Sequence, residues 1–475
     1  MSVRLSSRRR LSRTIRPSLT PALRLGLVGI RHTGALALMA QQHEVVLVIY
    51  CQSLSGYYLI NNMKKRVVIT GLGVVSSLGC GKEAFWNNLI EGRSGIAPMT
   101  SLDLSPYKCK LGGEVRDLKP EVYLGSKGLK YLNKGTRFLG SASKMAMDDA
   151  KLPTDGSLSE QMGIVIGSSL GNFSETTDYF YEIIRNNPSE LSPMLSYDVA
   201  LNSSINYVSV IFKIKGLART ISAGFTSSTD AIGDAYKMIQ RDMAKVIVTG
   251  GVEQISIDLY LIFYIRGLLS GLDGTKEASI PFDKTRNGFV MSEGSYVVIL
   301  EELQHALNRG AHIYAEITGF GSTFAGGKKH PEDVRVRRVE KTMHDAMYNT
   351  GVKKEDIDFI SANANGCKMQ DAVEAKAIQS FFGTGSSQIP VSAIKSNVGE
   401  SYGASGAAQL ISTVMSINTG QIPHIINHNN KDPEINLNLI IEKPLKKEIQ
   451  NAIINTMDYE GNNSCLVASK FSKSH

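Results

Sequence analysis

Side chains able to make or break bonds are sparse in this chain, and their spacing argues against most chemistries. The five cysteines, Cys51, Cys80, Cys109, Cys367 and Cys465, are scattered, odd in number and free of any C-x-x-C pair. They predict neither a disulfide framework nor a zinc site, and they suit a reducing compartment. His330, His424 and His428 have no metal-ligand spacing to acids or cysteines and read as loop histidines. Gly71-Leu-Gly73 lacks the third glycine and the ribose-binding acid of a dinucleotide fingerprint. No metal and no cofactor are expected. Cys367 in a polar loop could be imagined as a nucleophile, but a small loop cysteine is ordinarily inert. Glu400 sits on a glycine-flanked loop, either as a solvated acid or as the partner of Lys395. Ser222 and Thr226 carry hydroxyls on either side of Phe225.

The elements that must position these residues alternate. Arg66–Thr70, bounded by Gly71, reads as a strand and Glu83–Ile90 as a helix. Met162–Ile166 is a strand running into a glycine-rich turn, followed by a helix at Ser174–Ile184. Ala218–Ser222 is a strand, Thr226–Met243 a helix, and Lys245–Val248 a strand ending at Gly250-Gly251. Tyr296–Leu300 is a strand with a helix after it. A second set follows: strands at Ala315–Thr318, Ile357–Ile360, Ile389–Ile394 and Cys465–Ala468, and helices at Val339–Asn349, Asp371–Phe381 and Gly403–Ile417. Such alternation argues for α/β layers. No short repeat or low-complexity linker stands out after Met63.

The chain has 475 residues, 42% hydrophobic and 20% charged, in the range of a soluble globular protein. Its net charge of +8 comes from one end. Residues 1–62 hold eight arginines, no lysine and one acid, Glu44, leaving 44 basic and 43 acidic residues in the rest. The basic balance therefore says nothing for nucleic acid. The extension reads as an organelle transit peptide or as a start placed too early. The switch from arginine to lysine usage at Met63 favours the second. No apolar run reaches the ~20 residues that cross a bilayer, so a cytoplasmic protein without a membrane partner is expected.

Three motifs carry a family resemblance. Residues 219–233 read Arg-Thr-Ile-Ser-Ala-Gly-Phe-Thr-Ser-Ser-Thr-Asp-Ala-Ile-Gly. This resembles the nucleophile elbow of the β-ketoacyl-acyl-carrier-protein synthases, T-A-C-x-S/T-G-x-x-A-I-G, with Phe225 at the cysteine. Ile360-Ser-Ala-Asn-Ala-Asn-Gly-Cys367 resembles the family's A-H-G-T-G-T loop, with Asn363 at the histidine. Lys395-Ser-Asn-Val-Gly-Glu-Ser-Tyr-Gly-Ala-Ser-Gly406 resembles K-S-x-x-G-H-x-x-G-A-A-G, with Glu400 at the second histidine. The closing loop N-S-F-G-F-G-G-T-N reads Asn455-Thr-Met-Asp-Tyr-Glu-Gly-Asn-Asn463, so Asp458 and Glu460 replace glycines and Tyr459 takes the gatekeeper position. Pro281 to Gly294 is similar almost throughout to P-F-D-x-x-R-D-G-F-V-x-G-E-G, keeping Asp283 and Glu293; Lys395, Asp371 and Glu374 also fall on family positions. The resemblance runs from about Lys64 to Phe471.

It implies a thiolase fold, two pseudo-symmetric α/β halves in five αβαβα layers, with halves at 63–315 and 316–475. It also implies lost chemistry. Phenylalanine offers no nucleophile for an acyl-enzyme. Asparagine cannot exchange a proton near neutral pH, and a carboxylate opposes the enolate that follows malonyl decarboxylation. Four losses in a kept scaffold resemble the chain-length factor of a type II polyketide synthase. Such a subunit works as a heterodimer with a catalytic ketosynthase α subunit, to which acyl carrier protein brings malonyl units, and shapes a tunnel for an aromatic polyketide or aryl polyene. Phe173, Thr176 and Phe180, at i, i+3 and i+7, match the tunnel positions of octaketide-type systems, although such a stripe is usually core. Two rival readings stay open: a divergent synthase or decarboxylase, and a homodimeric pseudoenzyme that binds acyl carrier protein.

Overall fold

The computed structural model describes residues 64–185, 198–326, 330–348 and 350–473. The arginine-rich extension, 1–62, lies outside them. Among the described residues the main strands are β1 (Val67–Ser76), β2 (Met162–Gly167), β3 (Ala218–Ile221), β4 (Val246–Glu253), β5 (Gly294–Glu302), β6 (Ala315–Phe324), β7 (Phe359–Ser361), β8 (Pro390–Ser392), β9 (Asn438–Leu439), β10 (Asn451–Met457) and β11 (Asn462–Ser469). Their hydrogen-bonded order is β9-β8-β7-β10-β11-β6-β1-β5-β4-β2-β3. The first five strands of the chain thus form one end and the last six the other. β1 and β6 join them through antiparallel pairs from Val67–Ile317 to Ile69–Ala315.

The principal helices are α1 (Lys134–Asp149), α2 (Phe173–Arg185), α3 (Ser227–Gln240), α4 (Ile257–Ile265), α5 (Glu332–Met347), α6 (Lys368–Phe382) and α7 (Ser405–Thr419). α3 and α7 pack on each other between the two halves of the sheet, α1 covers the outside of β1 and β5, and α5 covers β6 and β11. Four apolar cores follow: a central one around Ile232, Leu410 and Ile454, two outer ones around Leu139 and Met343, and a fourth around Tyr260 and Phe263. The central strands β1, β2, β4 and β5 are buried on both faces, which is why they read as apolar runs rather than as alternation. The arrangement is the five-layer αβαβα stack of two α/β halves.

A repeat that the linear reading passed over marks the duplication. β1 contains Ile69-Thr70-Gly71-Leu72-Gly73, and β6 contains Ile317-Thr318-Gly319-Phe320-Gly321. A Cβ on Gly73 would fall 1.9 Å from the Ala142 carbonyl oxygen of α1, and one on Gly319 1.9 Å from that of Ala346 in α5. Each glycine pair lets an outer helix lie directly on its strand. Gly71 therefore lies inside β1, which runs on to Ser76, and does not end it at Thr70. β4 likewise continues through Gly250 and Gly251 to Glu253. The linear reading also passed over β10, α1 and α4.

Candidate functional site

β3 ends at Ile221 and residues 222–226 turn the chain into α3. Gly224 makes this turn at φ +62°, a conformation that side chains resist. Phe225 follows, 3% exposed. Its ring meets those of Phe263, Phe289, Tyr402 and Tyr459 at centroid distances of 5.5–5.8 Å, mostly edge to face. Aromatic pairs of this kind add about 0.5–1.5 kcal/mol beyond their buried area. The flanking hydroxyls are aimed elsewhere: Ser222 Oγ donates to the Ser169 carbonyl at 2.9 Å and Thr226 Oγ1 to the Ala223 carbonyl at 2.8 Å. The turn thus holds an apolar plug where a nucleophile would stand.

Asn363, just after β7, and Glu400, after the short helix Lys395–Val398, come together behind this plug. Glu400 is buried and its carboxylate is fully engaged. Oε2 accepts from Lys395 Nζ and from Asn365 Nδ2, each at 2.8 Å. Oε1 accepts from the Tyr402 amide at 3.1 Å and from Ser405 Oγ at 2.6 Å. Lys395 Nζ also donates to Asn363 Oδ1 at 2.9 Å, and that oxygen accepts the Met457 amide at 3.0 Å. Glu400 is therefore the salt-bridged acid of the two readings and not a solvated one. Its charge is balanced by its neighbours, and the buried Lys395 ammonium is paired with it.

The retained acids brace the loops. Glu374 accepts the Asn363 and Ala364 amides, each at 2.8 Å. Asp371 accepts the Phe282 amide at 2.8 Å and the Asn365 amide at 3.0 Å. Burial pushes Asp371 up to about 6 and Glu374 up to about 7. Asp283 accepts the Asn429 and Asn430 amides at 2.8 and 2.7 Å, and Glu293 pairs with Lys134 at 2.6 Å while accepting the Val115 and Ile255 amides. Cys367 is buried, and burial raises its thiol well above the ordinary value, which removes it as a nucleophile.

The loop between β10 and β11 closes over Phe225. Asp458 Oδ1 accepts the amides of Glu460, Gly461 and Asn462 at 2.7–2.9 Å, and its Oδ2 accepts from Asn462 Nδ2 at 2.7 Å. Tyr459 lays its ring against Phe225. Arg266, just past α4, donates to the Tyr459 hydroxyl, lies 5.2 Å from that ring's centroid and pairs with Glu460 at 3.1 Å. Sequence reading missed Arg266, Phe263, Phe289 and Tyr402. It also missed Glu253, pushed up to about 7 by burial and held by Ser169 Oγ at 2.7 Å. Phe289 and Tyr402 lie inside the motifs read above and Glu253 follows the Gly250-Gly251 pair, whereas Arg266 and Phe263 had no local signal.

Phe173, Thr176 and Phe180 do lie on one helix, α2, which packs against α4. Phe173 and Phe180 are 41% and 53% exposed, so in this chain the stripe is not core. Thr176 Oγ1 turns back to the Asn172 and Val199 carbonyls at 2.9 and 3.1 Å. Tyr181, Ile184, Leu201 and Val210 are exposed as well. No group of three or more potential metal ligands occurs among the described residues, and none of their helices is long and apolar enough to cross a membrane.

A layered α/β stack with a strand-to-helix elbow facing two loops of the second half is the scaffold of a condensing enzyme. Residues 64–306 match the β-ketoacyl synthase N-terminal domain and residues 314–429 its C-terminal domain. The chain belongs to the β-ketoacyl synthase family. It is similar to 3-oxoacyl-acyl-carrier-protein synthase 2 of Synechocystis, 32% identical with 87% of this chain and 100% of the relative covered. It is also similar to the synthase of the same name from Coxiella burnetii, 31% identical over 86% of this chain and 99% of the relative. Among solved structures it is similar to the ishigamide ketosynthase/chain length factor, with a TM-score of 0.80, 28% identity and 86% and 100% of the two chains covered. A type II polyketide synthase acyl-carrier protein in complex with its ketosynthase bound to the hexaketide gives a TM-score of 0.77, 26% identity and the same coverage.

Proposed function

We propose that this chain is the non-catalytic subunit of a ketosynthase pair, a chain-length factor that works beside a catalytic α subunit. The observation that carries the reading is Phe225: a buried ring, packed by four others, at the position where the acylated cysteine belongs. The second support is the Lys395–Glu400–Asn363 network, which consumes the polar groups that would serve decarboxylation. Two surface features suit pairing. β3 ends the sheet with Ala218 and Arg219 exposed, and α2 presents Phe173, Phe180, Tyr181 and Ile184 in an open apolar face of the kind that marks an interface. In the pair, acyl carrier protein brings malonyl units to the partner's cysteine, and the α2 stripe bounds the tunnel in which the product lengthens. The tunnel role of that stripe follows the family resemblance and the likeness to the ketosynthase/chain length factor structure.

The test is co-expression with a ketosynthase that has its cysteine and both histidines. The expected result is a stable heterodimer that condenses malonyl-carrier protein, with mass spectrometry finding acyl groups on the partner alone. A stable acyl adduct on this chain by itself would mean a divergent synthase, the reading that the names of its curated relatives favour. A homodimer that ignores the ketosynthase but binds acyl carrier protein would mean a binding pseudoenzyme.

A further inference from the structure

We infer that Arg266 decides which subunit of the pair receives the carrier's acyl arm, by latching this subunit's mouth shut; the inference rests on the pairing proposed above. A cleft of about 300 Å³ opens beside Phe225, lined by Ser169, Leu170, Ile262, Phe263, Arg266 and Tyr459 among others. It ends on the Phe225 ring, and Tyr459 lies across it. Two separate devices hold Tyr459 there. Asp458 fixes the shape of the loop from within, by accepting three successive amides. Arg266 fixes the loop's position from outside, across nearly two hundred residues of chain, by gripping both Tyr459 and Glu460.

No one interaction in this grip is strong. Arg266 and Glu460 have side chains 38% and 49% exposed, and an exposed ion pair contributes little alone. The guanidinium also covers the Tyr459 ring and meets its hydroxyl, so two interactions with Tyr459 add to the one with Glu460. Where catalytic members have glycines, this loop has an acid that stiffens it and an acid that anchors it. A catalytically empty site left open would hold acyl carrier protein without turnover. A latched one leaves the partner's cysteine as the destination.

The test places a thiol behind the latch and needs no partner, so it stands or falls separately from pairing. In the full chain, Phe225→Cys is treated with N-ethylmaleimide and the rate of alkylation is read on the peptide containing position 225, which sets the native cysteines aside. Adding Arg266→Ala should raise that rate about tenfold, as removal of an exposed ion pair together with a cation–π interaction implies. Arg266→Lys, which keeps the charge but not the planar group over the ring, should fall between. Tyr459→Phe in the Phe225→Cys background, which removes the gripped hydroxyl and spares the fold, should also speed alkylation, by less. Equal rates with and without Arg266, whether all slow or all fast, would overturn the latch: all slow would leave closure to Asp458, and all fast would mean the mouth is open.

Discussion

The two halves of the molecule fill the family's catalytic positions in opposite ways. In the first half the elbow carries Phe225 in a cage of four rings, an apolar filling with no polar partner to satisfy. In the second half Asn363 and Glu400 sit in a lattice of hydrogen bonds built on one lysine. The frames around them remain alike, down to the Gly-x-Gly of β1 and β6 that seats each outer helix. The difference lies in what each vacancy demanded. A cysteine's place at a strand-to-helix turn opens toward aromatic residues of α4 and the loop before β5, so bulk fills it. A histidine's place beside Lys395 already held a buried cation, so a carboxylate neutralises it.

That contrast ranks the consequences of breaking each site. The polar site should fail hardest. Lys395→Met leaves Glu400 buried without its cation and should cost about 3–5 kcal/mol in denaturant unfolding. Adding Glu400→Gln should restore much of the loss, because both charges are then gone. Failure of the second change to rescue would mean that the lysine acts through Asn363 rather than through Glu400. The apolar site should show no such coupling. Phe225→Ala removes a packed ring at about 3–5 kcal/mol, and Phe225→Leu should lose clearly less. If the leucine variant were as unstable as the alanine variant, ring geometry and not volume would be the essential feature.

The kept frame can be probed by adding a methyl group. Gly73→Ala meets a backbone carbonyl at 1.9 Å, whereas Gly321→Ala meets one at 2.4 Å. Neither carbonyl can rotate away. Both variants should be destabilised, by about 1–3 kcal/mol if overpacking alone operates, with Gly73→Ala the worse. Equal melting temperatures for the two would show that the helix of one half is freer than its close approach indicates.

The pH dependence sharpens the comparison further. Burial raises Glu253 in the first half and Glu374 in the second, each to about 7. The folded chain therefore holds more protons than the unfolded chain between about pH 4.5 and 7. Stability from these groups is full below the unfolded value and is lost as pH rises through the folded one, by up to about 1.4 kcal/mol per pH unit and group. Glu253→Gln should flatten that fall in a series of unfolding curves. A slope unchanged by Glu253→Gln would put the titration on Glu374 and Asp371.

How much of this was written in the linear chain differs by layer. Phe225, Asn363 and Glu400 were legible because long motifs surround them, so a missing residue type stands out. The partners of those residues were not. Phe289 lies in a kept motif and Phe263 in α4, and no local pattern says that they converge on Phe225. α4 itself, Ile257–Ile265, is apolar nearly all round and offers no period to read. Glycines misled most. Gly71 and Gly250 read as strand ends because a glycine in a strand usually weakens it. Here they are strand interiors, required by the close approach of neighbouring backbone.

The smallest expected change in stability is the most telling for function. Phe180 is 53% exposed on α2, so Phe180→Ala leaves no buried cavity and should alter unfolding by about 0.5 kcal/mol or less, as exposed positions do. A failure of synthesis could not then be blamed on misfolding of this chain. If α2 bounds the tunnel of the pair, removing the ring deepens it, and co-expression with the ketosynthase should yield a longer product by mass spectrometry. Phe173→Ala, one end of the same stripe, should act in the same direction. A stable pair that makes only the original length would leave α2 as a docking face and put length control elsewhere. Loss of the pair itself would make the stripe the surface that holds the subunits together.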